Sequence, residues 1–355
     1  MLKIQTEQNT VKIVANLKWP SFRNVALDLE KVLSPHCDVS VHTYSDTALG
    51  GRVIVVDTIK DSTLKFIANR LKGSKVILYG PTEGHSIIDS DSRETARKIK
   101  IVAVSGFVKE LLEDIGVPVA GIIPHGVDMS FREVDKEYEE KVKGITDGKL
   151  MMLTIAGNDV RKGIPELLEA YRLVEKAVPR SFLVLHSEPK TYFNEVEKKV
   201  KTRFCDPLEL SASLGIERIW HTCSHGELTP EQVNALYNCC CVYVSSSKSE
   251  GFGLPLIEAY RFDKPVIAVN APPFNEIVED GVTGSMFESN RIEWVNYMNS
   301  IRFKLHAYRP ERLAEKMVSL LVNPGIRENI SKKICEVKYK WDIRTVYPKI
   351  LEYFQ

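Results

Sequence analysis

Glu250 and Glu258 bracket the segment Glu250-Gly251-Phe252-Gly253-Leu254-Pro255-Leu256-Ile257-Glu258, whose residue types suit the grip of a polar, anionic ligand. Gly251 and Gly253 let backbone N–H groups approach a ligand without side-chain obstruction, and Pro255 fits a first helical position, where its missing N–H leaves nothing unpaired. The pattern predicts a helix from about Pro255 to Arg261, with unpaired N–H groups and roughly half a positive charge at its start. A phosphate or an electron-rich sugar hydroxyl is favoured at such a place. Glu258 falls in the first turn and Glu250 on the loop before it. The same residues also make a plain strand-to-helix turn with one exposed and one helix-dipole glutamate, because a lone Gly-x-Gly is weak evidence.

A second group carries the opposite charge. Arg161-Lys162-Gly163-Ile164-Pro165 follows an apolar run and opens a helix whose apolar positions Leu167, Leu168, Tyr171, Val174 and Val178 have helical spacing. Two adjacent cations beside a helix N-terminus concentrate positive potential at one point, and a diphosphate is the matching guest. The alternative is a solvated Arg-Lys pair on an exposed loop.

The stretch Ser247-Lys248-Ser249-Glu250-Gly251-Phe252-Gly253-Leu254-Pro255-Leu256-Ile257-Glu258-Ala259 resembles the E-x7-E signature of retaining GT-B glycosyltransferases of family 4. Lys264 to Ala268 and Asn275 to Val278 resemble the blocks that follow it in that family, Arg161-Lys162-Gly163 its R-K-G block, and Pro124-His125-Gly126-Val127-Asp128 the block that ends its first domain. The resemblance implies two Rossmann-like α/β domains facing across a cleft and transfer of a sugar from a nucleotide-diphosphate sugar to an acceptor hydroxyl. It implies a donor site of Glu250 on a sugar hydroxyl, Glu258 on the nucleotide ribose, and the backbone of Gly251, Phe252, Gly253 and Leu254 near the phosphates. Arg161 and Lys162 would stabilise the charge that grows on the leaving diphosphate. No metal and no cofactor besides the nucleotide sugar is then expected. Retention would proceed by same-face attack, since no carboxylate stands out as a nucleophile for double displacement.

The acceptor side is less legible. Tyr79-Gly80-Pro81-Thr82-Glu83-Gly84-His85 follows a strand and resembles an acceptor-facing block of some family members, in which Glu83 and His85 would orient or deprotonate an acceptor hydroxyl. A polar loop with a capping glutamate and a surface histidine is the bland reading. Ser105 reads by default as a helix N-cap. The sequence departs from the family at Asn16 to Phe22, which lacks the glycine-rich loop, so that Trp19 either packs over a sugar or closes the domain. It departs again at Leu185-His186-Ser187-Glu188-Pro189, which lacks a Gly-x-Gly.

Elements that alternate along the chain must position these groups. Val11–Ala15, Val39–Tyr44, Val53–Asp57, Val76–Tyr79 and Ile101–Ser105 read as strands, with amphipathic helices over Asn24–Leu33 and Ser62–Leu71 between them. A second series runs through Leu150–Ile155, Phe182–His186, Cys241–Ser245 and Pro265–Val269. Such alternation implies doubly wound α/β domains. The charged stretch Asp135–Lys149 reads as a linker in which Gly144 and Gly148 break any helix. The expected division is 1–145 and 146–340, with a terminal helix over 341–355 returning to the first domain by the family's precedent.

A chain of 355 residues suits two domains. With 48 Lys plus Arg against 47 Asp plus Glu, no global field recruits nucleic acid or an anionic bilayer, which leaves room for a local, peripheral membrane contact. No apolar run approaches a membrane span and the start lacks a signal-peptide profile, so the expected setting is cytoplasmic. Seven cysteines, three of them consecutive at Cys239, Cys240 and Cys241, do not form a disulfide framework and read as small apolar residues. His221, Cys223 and His225 alternate on one face of a strand, but a fourth zinc ligand is not evident. The expected partners are a nucleotide-sugar donor and a glycan, lipid, protein or small-molecule acceptor. Two competing classes are a GT-B binding protein that has lost turnover and a nicotinamide-dependent oxidoreductase. The latter needs a third glycine, which Gly251 to Leu256 lacks.

Overall fold

The structure is a computed structural model that describes residues 10–46, 49–187, 205–222, 228–297 and 300–355. Its strands, in chain order, are β1 (Thr10–Ala15), β2 (Asp38–His42), β3 (Arg52–Val56), β4 (Lys75–Gly80), β5 (Gly84–Ser86), β6 (Lys100–Ala103), β7 (Gly121–Ile122), β8 (Leu150–Ile155), β9 (Ser181–His186), β10 (Ile219–His221), β11 (Val242–Val244), β12 (Val266–Val269), β13 (Gly284–Phe287), β14 (Arg291–Tyr297) and β15 (Ile301–Ala307). Short β-branched runs such as Val53-Ile54-Val55-Val56 are buried on both faces, as strands of a helix-covered parallel sheet must be.

Two parallel sheets result. The first has the order β2-β1-β3-β4-β6-β7 and the second β10-β9-β8-β11-β12-β13, with every neighbouring pair parallel. In the second sheet the strand order reverses between β8 and β11. Crevices outside the carboxyl ends of strands at such a reversal are where open α/β sheets take ligands.

Three expectations need correction. The stretch read as a linker contains a helix, Lys136–Thr146, in spite of Gly144. Asp135 caps it by accepting from Tyr138 N at 2.9 Å, Lys136 and Lys143 flank Glu139, and Tyr138 and Val142 are buried. One exposed helical glycine costs about 1 kcal/mol, which a cap and an apolar stripe offset. The terminal segment is not one helix but a 3-10 turn (Lys338–Trp341), a short α-helix (Ile343–Val346) and a second 3-10 run (Tyr347–Phe354). Asp342 interrupts it to cap Arg344 N. These pieces lie along Gly126 and Val127: Val127 N donates to Trp341 O at 3.0 Å, and a Cβ on Gly126 would come within 2.6 Å of Val346.

The third correction concerns the polar-loop reading of His85, which strands from farther along the chain overturn. β14 pairs antiparallel with β15, and β15 pairs in turn with β5. His85 therefore stands in a strand rather than a loop, and a three-stranded sheet joins a segment beside the first parallel sheet to one that follows the second.

Candidate functional site

Arg161 and Lys162 follow β8, and Glu250 follows β11, so the strand reversal of the second sheet brings the two charged groups together. Asp159 caps the 3-10 turn Val160–Lys162 by accepting from Arg161 N at 3.0 Å. Gly163 closes the turn with φ 63°, and a Cβ there would lie 2.2 Å from Ser246 O. Only glycine allows both that backbone and that approach.

Glu250 accepts from Arg161 Nη1 at 2.7 Å with one oxygen, and with the other from Lys162 Nζ and from Ser247 Oγ at 2.8 Å. A second carboxylate, Glu83, reaches the Arg161 guanidinium at 3.5 Å from across the cleft. All four charged groups are largely buried. Burial pushes the Glu250 carboxyl up, but Lys162 and Arg161 hold it down at about 2. Arg161 is raised because Glu83, Glu250 and Asp159 outweigh its own burial. Lys162 is lowered by burial and by the neighbouring Arg161. The helix Leu254–Arg261 starts beside this cluster, after Gly253 with φ 114°. A pocket lined by Ile155, Ala156, Ser246, Glu250, Gly253 and Leu256 opens there.

The remaining sequence candidates divide. Glu258 lies in the same helix and accepts from Tyr237 Oη at 2.8 Å. Phe252 is buried, edge-on to His125 at 5.5 Å and to Trp341 at 5.7 Å, so its side chain anchors the loop rather than facing a ligand. Gly251 has no space for a Cβ, which would meet Pro81 at 2.3 Å. His85 is not brought to the charged cluster: its ring lies 4.6 Å from that of Trp294, and its Nε2 is 3.3 Å from Asp114. Ser105 caps the helix Gly106–Asp114 and also donates to Gly251 O at 2.8 Å. Trp19 is 48% exposed at the start of the helix Pro20–Leu33. Cys223 and His225, and Glu188 and Pro189, lie outside the described residues. Among the described residues no group of three or more His, Cys, Asp and Glu could hold a metal ion, and no helix is long and apolar enough to cross a membrane.

Several site residues escaped sequence reading. Ser247 and Ser249 are polar residues of a serine run that carries no signature by itself; Ser249 Oγ donates to Glu83 O at 3.0 Å. Asp159, two residues before Arg161, was legible as a cap. Glu276 spans the cleft and accepts from Gly106 N at 2.7 Å and Phe107 N at 2.9 Å, which neutralises the N-terminus of a helix in the first half.

Residues 135–302 match the family of glycosyl transferases group 1. The chain is 19% identical over 349 residues to glycosyltransferase 335 of Sulfolobus islandicus rod-shaped virus 1, itself uncharacterized, covering 96% of this chain and 99% of that one. It is 25% identical over 194 residues to the alpha-monoglucosyldiacylglycerol synthase of Streptococcus pneumoniae, a match that covers 53% of this chain and 41% of that enzyme. The crystal structure of Anabaena HepE in complex with UDP and glucose superimposes with a TM-score of 0.70 at 15% identity, over 97% of this chain and 98% of that one. That likeness establishes the fold. The segment carrying Arg161, Lys162, Glu250 and Glu258 thus matches the group 1 glycosyl transferases, and with these relatives it marks the protein as a glycosyltransferase of the hexosyltransferase class with a GT-B fold.

Proposed function

We propose that this protein is a retaining, metal-independent family 4 glycosyltransferase that moves a sugar from a nucleotide-diphosphate sugar to an acceptor hydroxyl. The observation that carries the reading is the buried cluster at the strand reversal, in which Arg161 and Lys162 both contact Glu250 beside a helix N-terminus. HepE, which shares the fold, was crystallised with UDP and glucose, and a nucleotide sugar is the donor class that this cluster fits.

The chemistry follows from charge. The C1–O bond to the diphosphate breaks with its electron pair going to the leaving oxygen, so negative charge grows on the phosphate and positive charge on the sugar ring. Arg161, Lys162 and the N–H groups at the start of Leu254–Arg261 stabilise the first. Glu250, ionised at neutral pH, accepts from a donor-sugar hydroxyl and holds the two cations in register. Glu258 accepts from a ribose hydroxyl. The acceptor oxygen attacks C1 from the face the diphosphate leaves, and its proton passes to the leaving phosphate oxygen. With one guanidinium and one ammonium group at that oxygen, a divalent cation is not required.

Thermal-shift screening against UDP, GDP, ADP and their sugars tests the donor, since a ligand raises the melting temperature with the logarithm of its concentration over its Kd. One diphosphate series is expected to stabilise the protein, with and without EDTA, and Arg161→Ala is expected to weaken diphosphate binding more than nucleoside binding. No shift with any nucleotide, or a shift abolished by EDTA, would overturn the donor or the metal-free part respectively. Anomeric analysis of the product by NMR tests retention, and an inverted product would refute it.

A further inference from the structure

We infer that Trp294, with Arg302 and His85, forms a stacking subsite for a pyranose ring of the acceptor, and that the acceptor is therefore a saccharide chain. The inference rests on the reading of the cleft as a sugar-transfer site. The subsite is built on the sheet that crosses from one half of the molecule to the other. Arg302 stands opposite His85 of β5, and Lys304 of the same strand stands opposite Trp294 of β14, so the four side chains share one face. Trp294 lies along that face: its ring is 4.6 Å from the His85 ring at a tilt of 38° and 5.1 Å from the Arg302 guanidinium.

The other face of this sheet is apolar. Ile301, Phe303 and Leu305 are buried there, with Val160, Val295 and Tyr297 against them. That face secures the strand pair to the turn that carries Arg161, and anchoring it needs nothing from Trp294. On the polar face, carboxylates pair with the two residues next to Trp294: Asp114 is 3.3 Å from His85, Glu110 is 3.4 Å from Lys304, and both are more than half exposed. Among the described residues, Arg302 pairs with no carboxylate.

A pyranose presents axial C–H groups on one face and hydroxyls around its rim. The indole supplies a face for the first, Arg302 supplies donors, and Asp114 and Glu110 supply acceptors for the second. A long acyl chain would need a continuous apolar groove, whereas the ring here is ringed by charge. Position also fits. His85 is two strand residues, about 7 Å, from Glu83, whose carboxylate touches Arg161. A sugar on Trp294 therefore sits within the length of a short oligosaccharide from the reacting centre.

Saturation-transfer NMR with maltotriose, mannotriose and chitotriose on the wild type, Trp294→Ala and Trp294→Phe tests the subsite, alongside the nucleotide thermal shift. At least one trisaccharide is expected to bind the wild type, with affinity about tenfold weaker in Trp294→Ala, equivalent to about 1.4 kcal/mol, and largely restored in Trp294→Phe. Equal affinity in Trp294→Ala would overturn the inference. So would failure of all three sugars to bind a wild type that does shift with a nucleotide, and that result leaves the donor reading standing. Trisaccharide binding through Trp294 without any nucleotide shift would keep the subsite and refute the transfer reading. Should Trp294→Ala not fold, Arg302→Ala takes its place, with the same expected loss.

Discussion

Glu250 holds an arginine and a lysine at once, and its replacement therefore has two separable consequences. The first is on the reaction: Glu250→Ala is expected to lower kcat by about two to three powers of ten, the scale of losing one well-placed transition-state hydrogen bond. An unchanged kcat would remove Glu250 from the site. The second is on stability, because buried Lys162 loses its carboxylate partner and Arg161 one of three, a loss of about 3 kcal/mol for a buried pair broken on one side. A nucleoside diphosphate replaces that charge, so it is expected to raise the melting temperature of Glu250→Ala more than that of the wild type. At this scale the sequence was informative where a residue type meets one demand. Arg161, Lys162 and Glu250 were legible as charges placed between an apolar run and a helix start, and Gly163 as the glycine that such a start favours. Ser249 and Glu276 were not, because each acts on a partner far away in sequence, and Ser247, whose partner Glu250 is only three residues on, sits in a serine run with no signature of its own.

The strand pair β14–β15 is the element with the widest consequence. Through it the segment Pro81–Ser86 is tied to the second half: β5 pairs with β15, Lys304 N and Ser249 Oγ both donate to Glu83 O at 3.2 and 3.0 Å, and Gly251 packs on Pro81. Gly84 has no room for a side chain, since a Cβ would lie 2.0 Å from Arg302 O, a backbone atom that cannot swing away. Gly84→Ala is expected to part β5 from β15, speed amide exchange over Ile301–Phe303, and lower kcat about tenfold or more by displacing Glu83 from Arg161. Unchanged exchange and unchanged kcat together would show that the strap does not position Glu83. Ile301–Ala307 alternates strictly between apolar and polar and was legible as a strand, but its partner strand is only Gly84-His85-Ser86, so the pairing that ties it to the first half was not.

Across the whole molecule, buried histidines set the response to acid. Burial lowers His125 to about 3 and also lowers His186, His221 and His306. An unfolded chain takes up a proton on each near pH 6.5, which folded His125 does only near pH 3 and the other three do at a lower pH than when unfolded, so each removes stability as pH falls, by up to about 1.4 kcal/mol per pH unit. Asp28 acts in the opposite sense. Burial raises it to about 7, so the folded chain keeps a proton that the unfolded chain releases near 3.8, and its contribution declines as pH rises between those values. Four groups against one predict a net fall in the urea midpoint from pH 7 to pH 5. His125→Gln is expected to flatten that slope by about one proton, and a flat wild-type profile would contradict the account.

The alternation of β-branched runs with amphipathic helices, and the charges and glycines at the ends of those runs, are local properties, and the sequence by itself determined them: two α/β units with Arg161 and Lys162 after one strand and Glu250 after another. Register, strand order and contacts between distant segments are cooperative properties of the packed chain. Only the tertiary structure decided that Glu83 meets Arg161 while His85 meets Trp294, that Glu276 caps a helix 170 residues away in sequence, and that the charged stretch after Asp135 folds as a helix. In each case a partner supplied from elsewhere in the chain outweighed the preference of the segment itself.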